Sequence, residues 1–231
     1  MLSGQKAAWV SNGTIANAAA MFCAVDMGDG VRRDGGMLVP LDVPGVTKGK
    51  PLDKIGQRAL NQGELFFDDV RFPADYMVIP PEAYAIALEM ILTGANGGMG
   101  SIFVGVAQAA LDLALDYARE RVQGGVPIFE HQAVKMRLFE MFRKVQAARA
   151  LSRQVTLYNQ MNPPPKLKLA VASKVTSTNT AFEVASSALQ IFGGNGLSRE
   201  YPVEKLLRDA RASMIEDGCN DVLSLTAAES L

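Results

Sequence analysis

The chain has 231 residues, 48% apolar and 20% charged, with 23 Lys plus Arg against 24 Asp plus Glu and a formal net charge of −1. That length and apolar content allow a sizeable core in one domain or two, and the balanced charge supplies no field for nucleic acid or an anionic membrane. Its two cysteines, Cys23 and Cys219, stand far apart without metal-ligand spacing, so neither a disulfide framework nor a zinc site is suggested.

Up to about residue 79 the apolar segments are short and β-like: "AAWVS", "AAAMFCAV", "GMLVPLDV" and "GELFFDDVRF". Gly, Asp, Asn and Pro clusters separate them, and "DMGDGVRRDGG" (26–36) reads as turns. After Pro80-Pro81 the period becomes helical. Its one interruption, "TGANGGMG" (93–100), thins the side chains where a helix or a ligand must come close. Val134, Leu138, Met141, Val145, Ala148, Ser152 and Val155 then step by four and three, the seam of an antiparallel bundle helix. "NPPP" (162–165) stops that helix, because proline lacks the N–H and disfavours helical geometry before it. Leu167, Val171, Val175, Thr178, Phe182, Ala185, Leu189 and Phe192 form the next stripe, which ends at "FGGNG", glycines suited to a left-handed cap. Pro202 opens a further helix with Val203, Leu206, Leu207, Ala210 and Met214 inward and a Glu204–Arg208 pair outward.

The expected fold is therefore α+β: a small β-domain over 1–79 followed by an antiparallel four-helix bundle over 82–231. No apolar run approaches the roughly 20 residues of a spanning helix, and the N-terminus has no apolar signal core. The expectation is a soluble, cytoplasmic protein without a membrane span.

Four blocks carry a resemblance to a known family: "KAAWVSNG", "DKIGQRALNQGELFFDDVRFP", "ALDYARERVQGGVPIFEHQAV" and "LQIFGGNGLSREYPVEKLLRDAR". Together, in this order and spacing, they resemble the acyl-CoA dehydrogenase flavoproteins. The resemblance implies that family's middle β-domain and its C-terminal four-helix domain. It finds no counterpart of the N-terminal helical domain, and so implies a fragment or one subunit of a split enzyme. It also implies FAD as cofactor, an acyl-CoA substrate, electron-transfer flavoprotein or a similar acceptor, and a homo-oligomer or an N-terminal partner chain.

In that family a carboxylate takes the α-proton of the thioester while the β-hydrogen leaves as hydride to N5 of the flavin. A weak carbon acid needs a desolvated base and a polarised carbonyl. The family's base precedes a glycine after the "RDAR" block. On "IEDGCN" this places Asp217 in the base position, with Gly218 after it as a substrate contact, Glu216 in the place of a tyrosine and Cys219, a cofactor contact, in that of a threonine. Asp217 is preferred to Glu216, and a plain surface role for both stays open. The alternative base position, on the first bundle helix, falls on Ala95, which cannot serve.

By the same resemblance Trp9 and Ser11 lie against the flavin ring, and Asn96 stands near the CoA thioester where the family often has arginine. Arg121 meets the FAD pyrophosphate of a neighbouring subunit, while Gln132, Gln190, Gly193 and Gly194 contact the same dinucleotide. Gly124 replaces the family's phenylalanine. His131, the sole histidine, reads as a surface or packing residue. A flavin oxidase acting on another carbon acid, or a non-catalytic subunit completing a partner's FAD site, are the alternatives.

Overall fold

The structure, a computed structural model, describes the backbone of all 231 residues and every side chain except those of Ala7 and Ala8. It divides into two compact units, Met1–Glu89 and Met90–Leu231.

The first unit is β. One antiparallel sheet has the order β1 (Leu2–Ser11), β5 (Gln62–Val70), β4 (Val46–Lys48); the other has β2 (Ala18–Asp26), β3 (Arg32–Pro40), β6 (Met77–Ile79). Alternating inward residues of both sheets, Met21, Val39, Leu65 and Phe67, share one core with Leu41 and Val70. In β5 the alternation slips after Phe67: Asp69 takes φ +47 and pairing with β1 shifts, a bulge that returns Val70 to the core. The stretch 26–36, expected to be all turn, is turn only at 27–31, where Asp26 Oδ1 accepts the N–H groups of Gly28 (2.8 Å) and Gly30 (3.1 Å). Arg32–Gly36 belong to β3. Gly35 and Gly36 are there because Ile79 of β6 crosses them: a Cβ on Gly36 would meet Ile79 side-chain atoms at 3.0 Å.

The second unit is helical. Its helices are α1, which begins at Tyr84 in the first unit and runs to Glu120, α2 (Gln132–Met161), α3 (Leu167–Phe192), α4 (Val203–Ser213) and α5 (Asn220–Ala228). The last is a short helix that the periodicity did not single out. α1 runs unbroken through 93–100, and the thinning there serves a helix crossing: a Cβ on Gly100 would lie 2.3 Å from Ser173 Oγ on α3. One expectation fails at this helix. By length and composition alone Pro81–Glu120 is apolar enough to cross a membrane, with a mean hydropathy of 1.5 over its most apolar window, 44% of it buried. Ile, Leu, Val, Met, Phe and Ala raise the mean, while interspersed Gly, Asn and hydroxyl residues break up the run of large apolar side chains that was sought. Met99, Phe103, Ala107, Ala110, Leu111 and Ala114 of this helix lie in the bundle core.

The α2 seam is as expected: Leu138, Met141, Val145, Ala148, Ser152 and Val155 are buried, with Val134 packed at the margin. On α3 the stripe is too narrow. Ala170, Ser173, Lys174, Ser177, Ala181, Val184 and Ala188 are buried as well, because α2, α4 and α5 all pack on this helix. α3 is thus the axis from which both candidate site regions hang.

Candidate functional site

The first region is a cleft of about 540 Å³ at the C-terminal end of α3, lined by the end of α1 (Tyr117, Arg121), the start of α2 (His131, Val134, Arg137) and Gln190–Asn195. Arg121 follows α1 directly. Its carbonyl accepts Ile128 N–H (2.8 Å), which folds back a hairpin of Val122–Gln123 and Val126–Pro127. Gly124 (φ +67) and Gly125 (φ +84) form the two-residue loop, in the pairing of positive φ values that such hairpins require. Gly124, which stands in for the family's phenylalanine, is therefore a turn residue here. His131 Nε2 donates to Gln123 O (3.0 Å) and ties this hairpin to α2, in keeping with a packing role.

Opposite, Tyr117 stacks on Phe192 (centroids 4.1 Å apart) and meets Tyr201 edge-on, while Asn195 Nδ2 donates to both tyrosine hydroxyls (3.1 and 3.3 Å). This cluster braces the chain where Gly193 turns at φ +61, ψ −137, a conformation open to glycine. A Cβ on Gly193 or Gly194 would project into open space, so their bare backbone leaves the cleft wide. The guanidinium groups of Arg121 and Arg137 form no ion pair among the described residues. Two unpaired guanidiniums beside open glycine backbone suit a phosphate or pyrophosphate.

The second region is the turn between α4 and α5. Asn220 N–H donates to Met214 O (2.9 Å) and closes a loop that carries Glu216, Asp217, Gly218 and Cys219. The acids therefore do not end the last helix; they precede α5, for which Cys219 is the N-cap position without a side-chain cap bond. Asp217 has φ +51 and is exposed, Gly218 has φ +103, and Glu216 is half-buried. Beneath the turn, Lys174 of α3 is 0% exposed and donates to Gly218 O (2.7 Å) and Asn220 Oδ1 (2.8 Å). Burial pushes the Lys174 pKa down, and Asp217, Cys219 and Glu216 oppose that by favouring its charged form.

Of the residues singled out by sequence, Arg121, Gln190, Gly193 and Gly194 come together in the cleft, and Gln132 is exposed at its edge beside His131. Glu216, Asp217, Gly218 and Cys219 share the turn. Trp9 (63% exposed) and Ser11 lie on β1 in the first unit, with Gln62 Nε2 at 3.5 Å from Ser11 Oγ. Asn96 on α1 is 0% exposed; its Nδ2 donates to Leu92 O (2.8 Å) and its Oδ1 has no hydrogen-bond partner. The sequence reading missed Arg137, one helical turn after Val134 and Ala133. It also missed Lys174, although that residue stands three after Val171 and four before Thr178, in register with the stripe.

A profile described as "Acyl-CoA dehydrogenase, C-terminal domain" matches residues 85–231. The chain belongs to the acyl-CoA dehydrogenase family. It is 35% identical to the mitochondrial short-chain specific acyl-CoA dehydrogenase of Bos taurus, covering 100% of this chain and 56% of that one. Butyryl-CoA dehydrogenase from Megasphaera elsdenii superposes with a TM-score of 0.90 at 31% identity, over 99% of this chain and 59% of the other. Glutaryl-CoA dehydrogenase from Mycobacterium smegmatis does so with a TM-score of 0.90 at 25% identity, over 99% and 57%. The chain thus spans less than two thirds of these acyl-CoA dehydrogenases, and all five helices fall within or at the edge of the match to the family's C-terminal domain.

Proposed function

We propose that the protein carrying this chain is an FAD-dependent acyl-CoA dehydrogenase that converts an acyl-CoA thioester to the 2-enoyl-CoA, with Asp217 as the base for the α-proton. One observation carries the choice of Asp217: it stands exposed in a left-handed turn directly before Gly218, at the site where the family pattern puts a base, whereas Glu216 is half-buried. The expected buried carboxylate is not what the chain displays. Desolvation of Asp217 would come with the bound thioester, whose apolar acyl chain displaces water from the carboxylate. Being one methylene shorter than glutamate, Asp217 reaches less far, by roughly one C–C bond.

The cleft residues fit a flavin dinucleotide. Arg121 and Arg137 would hold its pyrophosphate, Gln190 would donate to it, and Gly193 and Gly194 would let backbone approach. When bound, the flavin supplies the acceptor for the β-hydride. Gln190 lies 16 residues beyond Lys174 on α3, about 24 Å along the helix axis. That separation supports a reading in which the turn and the cleft serve different flavins, the cleft reaching one held mainly by a neighbouring subunit of a homo-oligomer.

The test is anaerobic mixing of the FAD-loaded protein with saturated acyl-CoA thioesters of several lengths. Bleaching of the oxidised flavin spectrum with formation of 2-enoyl-CoA is expected, followed by reoxidation with electron-transfer flavoprotein or an artificial acceptor. No bleaching with any thioester sinks the proposal. Rapid reoxidation by oxygen alone moves it to an oxidase.

A further inference from the structure

We propose that Lys174 is a positioning residue for the base: its buried ammonium holds the turn that presents Asp217. The inference rests on the reading of Asp217 as base and extends it to a residue that never touches substrate.

Three observations converge. First, Lys174 has no exposed surface, and it lies on a helix whose neighbouring buried positions are, apart from Val171, small or hydroxyl-bearing: Ala170, Ser173, Ser177, Thr178, Ala181. An ammonium in such surroundings is costly unless its N–H groups are satisfied, and a position needed only for packing would be served better by Leu or Met. Second, its partners are both in the turn. Nζ donates to Gly218 O (2.7 Å), the carbonyl one residue past the base, and to Asn220 Oδ1 (2.8 Å). Asn220 is held in turn, its Nδ2 donating to Thr178 Oγ1 (3.0 Å) and Asn179 Oδ1 (3.2 Å) on the same helix. Third, the gripped backbone is the part with unfavourable dihedrals. Asp217 is one of the few non-glycine residues with positive φ, at +51, followed by Gly218 at +103. A side-chain-bearing residue stays in that region only when its surroundings hold it there.

Removing the amine leaves the Gly218 carbonyl and Asn220 Oδ1 without their donor. The turn then relaxes toward ordinary dihedrals and carries the carboxylate away from where the α-carbon would sit. Proton abstraction tolerates little displacement, whereas acyl-CoA binding, which draws on many other contacts, tolerates more. Burial lowers the Lys174 pKa, and the neighbouring Asp217 and Glu216 carboxylates act against that shift.

The experiment is Lys174→Met in the FAD-loaded protein, with three readouts: the rate of flavin reduction by acyl-CoA, the acyl-CoA dissociation constant, and amide hydrogen exchange across the chain. The expected result is a reduction rate lower by about 10- to 100-fold with acyl-CoA affinity within about threefold of the parent. Exchange should accelerate at 215–220 while α1 and α2 keep their protection. An unchanged rate with unchanged exchange overturns the proposal, and so does a loss of protection spread evenly over all the helices, the mark of a residue that only stabilises the fold. Should Lys174→Met not fold, Asn220→Ala removes one of the lysine's two acceptors and is expected to give the same pattern at smaller amplitude; its absence is equally fatal. Asp217→Asn separates the two ideas. If that variant reduces flavin at the parental rate, the base assignment fails on its own; if it is inactive while Lys174→Met is fully active, the base stands and the positioning role falls.

Discussion

The two ends of α3 treat positive charge in opposite ways. Lys174, toward the N-terminal end, is wholly buried and engaged with the turn of the same chain, while Arg121 and Arg137, around the C-terminal end, face an open cleft and form no ion pair among the described residues. A buried cation with satisfied N–H groups shapes backbone; an exposed, unpaired one is available to a ligand. The same kind of charge therefore braces backbone at one end and stays open to a ligand at the other.

The largest expected effect lies on the group that the scaffold presents. Asp217→Asn keeps volume and turn but removes the proton acceptor, so flavin reduction by acyl-CoA should fall by about 10²- to 10⁴-fold with acyl-CoA binding retained. Glu216→Gln should change the rate far less. Stopped-flow measurement of both variants decides the matter, and reversed phenotypes would move the base to Glu216.

At the other end, Arg121→Ala and Arg137→Ala should each weaken FAD binding by about 10- to 100-fold, the value of a charge-assisted contact to phosphate, with weakening that shrinks as salt is raised. Flavin titration followed by fluorescence quenching measures this. If neither change affects FAD while both slow the chemical step, the contrast between scaffold and binding site collapses.

The scaffold end also depends on how closely α1 approaches α3. Gly100→Ala would push a methyl to 2.3 Å from Ser173 Oγ and 3.3 Å from the Ser173 backbone, next to Lys174, and should destabilise by about 1–3 kcal/mol. Gly98→Ala, exposed on the same helix with open space at its Cβ, should stabilise by roughly 0.5–1 kcal/mol through helix propensity alone. Denaturant midpoints of the two variants should move in opposite directions; movement in the same direction would show that the crossing at Gly100 is loose.

How much of this was legible beforehand varies with the kind of signal. The α2 seam could be read residue by residue because one apolar face meets one neighbour, and "NPPP" fixed its end through the chemistry of proline. α3 was read too narrowly because helices surround it, so small and polar residues such as Ser173, Lys174 and Ser177 are buried alongside the apolar stripe. Polar sequence also hid the start of β3, whose Gly35 and Gly36 make room for Ile79, a partner more than 40 residues away that no local pattern announces. Arg121, Gln190, Gly193 and Gly194, singled out through family resemblance far apart in sequence, come together in one cleft.

A fourth cation tests the rule at its weakest point. Arg208, on α4, is neither buried nor unpaired: its Nε and Nη2 lie 2.6 and 2.9 Å from the Glu204 carboxylate oxygens, one turn away on the part-buried face of the helix. If engagement within the chain is what distinguishes structure from binding, Glu204→Gln should affect stability only, and little, because a solvent-screened i,i+4 pair contributes about 0.5 kcal/mol. The Arg208 hydrogen bond is the main influence holding the Glu204 carboxyl below its ordinary pKa. The unfolded chain, with the ordinary value, therefore binds more protons than the folded chain between the two pKa values, and stability from the pair falls as pH drops through that interval. The contribution is complete above the usual carboxylate pKa of about 4.3 and is lost below the folded value. Thermal melts of parent and Glu204→Gln proteins should consequently differ by a small, constant amount near neutral pH and converge in acid, with FAD binding identical throughout. A variant that melts alike at every pH but binds FAD more weakly would place Arg208 with Arg121 and Arg137, among the cations that face a ligand.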